Sequence, residues 1–178
     1  MFELIPHPDT PPTLIRRVQM ALTLDPAETL LTIRVQGAEN LNVPDLQPPA
    51  RADNLWKTTC FEVFLNPAGT DQYSEFNFSP SRQWAAYAFD SYRHNMRSLD
   101  LSFEPIISQG IEVGGVYLIE IDLDLSIMPP GPLKMNLSAV IEERDGTKSY
   151  WALAHAPGPP DFHNRDCFIA TLPAPSAP

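Results

Sequence analysis

Three side chains suited to metal binding or acid–base work, His155, Asp161 and His163, fall within the twenty residues SYWALAHAPGPPDFHNRDCF (149–168). A His-Asp-His set converging from a loop, with Glu142 or Glu143 as a further ligand, would make a metal-dependent hydrolase. The helical HExxH spacing that makes such an assignment specific is absent. Pro157, Pro159 and Pro160 stiffen the segment. The same histidines and Asp161 therefore read more readily as a rigid pocket rim whose imidazoles bond backbone groups.

A second set of polar residues sits on strands. Glu62 interrupts the apolar run CFEVFL, Glu75 and Asn77 share a face of YSEFNF, and Asn136 and Ser138 share a face of LKMNLSAV. Beside Trp56, Trp84 or Trp151 these acceptors and donors have the chemistry of a sugar site. An indole covers the apolar face of a pyranose, and carboxylates and amides take its hydroxyls. Polar residues are also expected wherever an antiparallel sheet faces water. Other chemistries find less. There is no GxSxG elbow, Cys60 lies mid-strand without a basic neighbour, and GIEVGG does not open a helix. Met96, Met135, His94 and His155 could serve as haem axial ligands, but they are scattered. The acidic residues would permit calcium, although no loop has EF-hand spacing. No CxxC pair exists for zinc, and Cys60 and Cys167 read as two buried reduced thiols.

The elements that must position these groups are strands. Val18, Met20, Leu22 and Leu24 alternate, and Asp25–Glu28 reads as a turn into Leu31, Ile33 and Val35. The spacing predicts strands at 60–67, 72–79 and 83–90, then in SFEPIIS and GIEV. Another follows in GVYLIEIDLDLS, where Tyr117, Ile119, Ile121, Leu123 and Leu125 oppose Glu120, Asp122 and Asp124. LKMNLSAVIEE, a turn marked by Asp145-Gly146, KSYWALA and CFIATL close the chain. A short helix is expected in 91–99. About ten strands with no three-turn amphipathic helix make an all-β, antiparallel sandwich of jelly-roll type. One domain is expected over 1–178, with its core at about 14–173 and a loose tail at 174–178.

A formal charge of −10 argues against nucleic-acid binding. No apolar run is long enough to span a bilayer, and MFELIPHPDTPP lacks a basic start followed by an apolar stretch, so the expected address is the cytoplasm.

LWKTTCFEVFLNPAGTDQYSEFNFSPSRQWAAYAFDSYR resembles the central motif of the DOMON-like superfamily, which includes family 9 carbohydrate-binding modules. MNLSAVIEERDGTKSYWALAHAPGPPDFHNRDCFIATL is similar to the C-terminal half of small bacterial DOMON-like proteins. The resemblance covers residues 14 to 173 and implies a jelly-roll sandwich that binds sugars in some branches and haem in others. In the sugar-binding branch a tryptophan precedes a glutamate by six positions, as Trp56 precedes Glu62, and an arginine and an asparagine contribute, which Arg82 and Asn136 resemble in position. That branch clamps its sugar with a second tryptophan. Three residues after Asn136, where it is expected, stands Ala139, with Trp84 or Trp151 as possible substitutes. The implied function is non-enzymatic binding of a saccharide or sugar derivative. A metal-dependent hydrolase, a haem module and a protein-interaction module are the alternatives, the last through pairing at a sheet edge.

Overall fold

The computed structural model describes residues 1–25 and 28–173. The expected turn at Pro26-Ala27 and the expected tail at 174–178 lie outside the described residues. Fourteen strands are described: β1 (Phe2–Glu3), β2 (Ile5–Pro6), β3 (Arg17–Asp25), β4 (Glu28–Gln36), β5 (Ala50–Arg51), β6 (Cys60–Pro67), β7 (Tyr73–Phe78), β8 (Gln83–Phe89), β9 (Arg97–Ser98), β10 (Ile106–Glu112), β11 (Val116–Asp122), β12 (Leu133–Glu142), β13 (Lys148–Ala152) and β14 (Ala170–Leu172). Five of these are only two or three residues long and carry no periodicity, so the sequence showed about ten. The expected strands SFEPIIS and GIEV are ends of one strand, β10.

Two sheets form a sandwich. The smaller runs β1-β3-β4-β11-β10, and the larger runs β2-β13-β12-β6-β7-β8-β5, with β14 against β12 and β9 against β8. All pairings are antiparallel except β5 with β8. Between the sheets, Val18, Met20, Leu31, Ile33, Val35, Ile119 and Ile121 meet Phe61, Val63, Leu65, Phe76, Phe78, Leu137 and Ala139 in one apolar core. Alternation in β3, β4 and β11 reports that inner face directly. Among the described residues no helix is long and apolar enough to cross a membrane.

The larger sheet is buried on both faces. Residues of the opposite parity, among them Cys60, Phe64, Tyr73, Tyr87, Phe89 and Val140, join Leu55, Phe162, Cys167 and Phe168 in a second apolar cluster on the outer face. The loop over 155–168 and the short 3-10 turn Leu55–Lys57 cover that face, so β6 and β7 are buried almost throughout. The expected helix at 91–99 does not form. Arg93 and Asn95 adopt φ of 51° and 52°, and Asp90 holds the turn by accepting from Asn95 Nδ2 (2.6 Å) and Arg97 Nη1 (2.7 Å). Tyr92, Met96 and Leu99 have helical spacing, but Tyr92 and Met96 are left exposed, so no buried stripe holds a helix against the sheet.

Gly37 follows β4 with φ of 98°, and a Cβ there would stand 2.7 Å from the Leu14 carbonyl oxygen. Both the conformation and the space require glycine. Gly37→Ala is expected to lower stability by about 2–3 kcal/mol. Denaturant unfolding at unchanged slope checks this, and a loss below about 0.5 kcal/mol would contradict it.

Candidate ligand pocket

The outer face of the larger sheet carries two polar rows fixed by strand register. One runs Ser138, Glu62, Asn77 and Ala85 across β12, β6, β7 and β8, and the next runs Asn136, Phe64, Glu75 and Tyr87 across the same strands. Glu62 and Glu75 are thus diagonal neighbours on adjacent strands. Above them opens a cavity of about 950 Å³ lined by aromatic faces and charged groups together.

Glu62 is 3% exposed; its Oε2 accepts from Ser138 Oγ at 3.0 Å, and the residue lines the cavity. Glu75, also buried and cavity-lining, accepts from Asn77 Nδ2 at 2.6 Å. Burial first, and then the Glu75 charge, push Glu62 from the ordinary carboxyl value of 4.5 up to about 8. Burial likewise raises Glu75. The pair behaves as one unit that keeps a proton near neutrality.

His163 stands over Glu75 with Nε2 3.7 Å from Oε2. Its ring is boxed edge-on by Phe64, Tyr73 and Phe89. Burial, and then the Arg93 charge, lower its pKa to about 4, so it is neutral. With His163 neutral, the contact is no ion pair. Tyr73 Oη accepts the Arg93 backbone N–H (3.1 Å) and lies 2.8 Å from His163 Nδ1. Donation of the phenolic hydrogen to Nδ1 leaves Nε2–H turned toward Glu75.

Three arginines line the cavity, and each is engaged by an aspartate. Arg51 meets Asp53 at 3.0 Å, Arg93 meets Asp161 at 2.8 Å, and Arg97 meets Asp90 at 2.7 Å. Asp53 also accepts from Tyr87 Oη at 2.6 Å, and Arg51 lies over the Tyr87 ring at 5.2 Å. Trp56 stands at the mouth, 48% exposed, on the 3-10 turn introduced by Asn54 at φ 63°.

The sequence-predicted residues divide by face. Trp56, Glu62 and His163 line the cavity. Asn77 braces Glu75 from behind. Asn136, fully buried, donates from Nδ2 to the Phe162 carbonyl at 3.2 Å and so anchors the covering loop, while its Oδ1 has no partner. Asp161 pins the same loop by accepting from Arg93 and from Tyr92 Oη at 2.7 Å. Arg82 occupies the β7–β8 turn at φ 75° and does not line the cavity.

Trp84 and Trp151 lie on the inner face instead, in the row Trp151, Ala139, Phe61, Phe78 and Trp84. They fill the core and cannot substitute as sugar clamps. Ala139 is the small member of that row, so a tryptophan there would have pointed away from the cavity. Aromatic walls come instead from Phe64, Tyr87, Phe89, Tyr150 and Phe162. Sequence reasoning missed these, together with Arg51, Arg93 and Arg97. Phe64, Tyr87 and Phe89 share parity with Glu75 once register is known, whereas Phe162 and Arg93 come from a loop and a turn that have no strand parity.

The expected metal set is not assembled. His155 Nε2 lies 2.8 Å from the Ile5 carbonyl oxygen, with its ring against His7, fastening the loop to β2. Glu143 binds backbone N–H groups of 13–15. Among the described residues no three His, Cys, Asp or Glu side chains are grouped to hold a metal ion. Cys60 and Cys167 are both buried and unpaired.

Fold and cavity together define a β-sandwich with a roofed pocket on the outer face of its larger sheet. A solved structure from Bacteroides uniformis, described provisionally as a carbohydrate-binding protein, is similar in fold. The TM-score is 0.65 at 15% identity, over 97% of this chain and 84% of that one. No family model matches the sequence, and no curated protein does.

Proposed function

We propose that the chain is a non-enzymatic binding domain for a saccharide or sugar derivative, as its resemblance to DOMON-like and family 9 carbohydrate-binding modules implies. The observation that carries this is the cavity itself. A buried acceptor, Glu62, faces an aromatic enclosure with Trp56 at its mouth. A sugar would lay its apolar face on an aromatic wall and give hydroxyl hydrogens to the floor. The fold-level likeness to a protein described as carbohydrate-binding agrees with this.

Trp56→Ala is expected to reduce saccharide affinity at least tenfold while leaving stability within about 0.5 kcal/mol, since the indole is half exposed. Calorimetric titration of mono- and disaccharides, alongside the melting midpoint, checks both halves. Undiminished affinity in that variant, or no saccharide response from the unmodified chain, would overturn the reading.

A further inference from the structure

The charge balance inside the cavity selects among ligands more sharply than its shape does. Every cation that lines it is already met by an aspartate: Arg51 by Asp53, Arg93 by Asp161 and Arg97 by Asp90. His163 adds no charge, because its ring is enclosed by three aromatic side chains. The two floor carboxyls have no cationic partner of their own. Glu62 receives one hydrogen bond, from Ser138, and Glu75 one, from Asn77, both at the strand surface. Arg93 acts on both glutamates from a distance, but its guanidinium nitrogen is directed at Asp161. Among the described residues the site therefore lacks a free cation to receive an anionic ligand, and it has acceptor capacity for a donor-rich one. Around that floor stand Phe64, Tyr87, Phe89 and Phe162, and aromatic faces attract a cation.

We infer that the pocket is built for a protonated amine, an amino sugar if the saccharide reading holds, with its ammonium seated between Glu62 and Glu75. An ammonium has three donors and no acceptor, which suits two cavity-lining carboxyls that each receive a single hydrogen bond. Seating it displaces the proton that the pair retains when empty. The balanced step is ammonium ligand plus singly protonated pair giving an ammonium–carboxylate complex and one proton released to buffer. The raised carboxyl pKa values mean that the empty pair holds a proton to release, and the ammonium's charge offsets the cost of ionising it. A uronic acid would place its carboxylate against the same floor and is disfavoured. The inference rests on the proposed binding role but makes a narrower claim.

Titration calorimetry in two buffers of different ionisation enthalpy tests it at pH 7. The probes are D-glucosamine, N-acetyl-D-glucosamine, D-glucose, D-glucuronate and cyclohexylamine. Glucosamine is expected to bind at least tenfold more tightly than glucose, with close to one proton released, and the N-acetyl derivative to lose that advantage. Glu62→Gln keeps the size of the side chain and is expected to abolish both the preference and the proton release. If that variant fails to fold, Glu75→Gln and the proton count on the unmodified chain serve instead. Glucose binding as well as glucosamine, with no proton released, overturns the inference and leaves the saccharide reading intact. Both amines binding with every neutral sugar silent supports the inference and removes the saccharide reading. Silence from all five overturns both.

Discussion

Replacing Glu143 with alanine is expected to destabilise the protein by about 3–5 kcal/mol, the scale seen when one partner of a buried charged interaction is removed. Glu143 is 1% exposed, and its carboxylate accepts three consecutive backbone N–H groups: Thr13 and Leu14 at 2.7 and 2.8 Å, and Ile15 at 3.4 Å. These bonds tie the segment entering β3 to the β12–β13 hairpin, whose turn closes through Glu143 N to Thr147 O at 2.8 Å. Ile15 is itself a core residue. Alanine would leave three partly buried donors unpaired and loosen residues 1–16 from the sandwich. Glutamine preserves one oxygen but sets an NH₂ group against N–H donors, so an intermediate loss of about 1.5–3 kcal/mol is expected. Denaturant melts give the equilibrium loss, and limited proteolysis within residues 7–14 reads the local release. A loss below about 1 kcal/mol, with no added cleavage, would refute this role.

That role was invisible in the sequence, where Glu142 and Glu143 looked like spare ligands beside the histidine loop. What separates them is parity at the end of β12 and a contact 128 to 130 residues away, and neither leaves a local pattern. The sandwich was legible for the opposite reason. In β3, β4 and β11 one face is core and the other is open, so apolar residues recur with period two. Asp145-Gly146 likewise announced a turn that local chemistry alone decides. The larger sheet defeated the same method, because a roof on its outer face makes both parities apolar. Trp84 and Trp151 then looked as available to a ligand as Trp56. Glu62, Glu75, Asn77, Asn136 and Ser138, polar groups inside strands otherwise largely buried, betrayed the second face. Arg93 reaches the site through a turn in the left-handed region, where the sequence pointed to a helix.

Between pH 6.5 and 8 the protein is expected to lose about 2 kcal/mol of stability through Glu62, since each pH unit between folded and unfolded pKa values is worth about 1.4 kcal/mol. Folding raises this carboxyl from 4.5 to about 8, so between those values the native state binds more protons than the unfolded chain, and stability falls as pH rises. His163 works the other way at lower pH. Its pKa falls from 6.5 to about 4, the unfolded chain binds the extra proton between those values, and stability rises with pH there. The two slopes oppose one another below pH 6.5, leaving Glu62 dominant above it. Asp124 and Asp161 do not enter this window. Burial works against their charged forms, but hydrogen bonds from Ser126 and Ser102, and from Arg93 and Tyr92, hold both below the ordinary value. Glu62→Gln is therefore expected to flatten the profile above pH 6.5 and to melt higher than the unmodified protein at pH 8.5, with little difference at pH 5. Melting midpoints in matched buffers decide it, and a flat profile in the unmodified chain would show that Glu62 ionises as freely in the fold as in solvent. A glutamine could accept the same Ser138 hydrogen bond without that loss. A higher midpoint in that variant would give Glu62 a stability cost that a neutral isostere avoids, which agrees with the proposed binding role, where function is retained at the expense of stability.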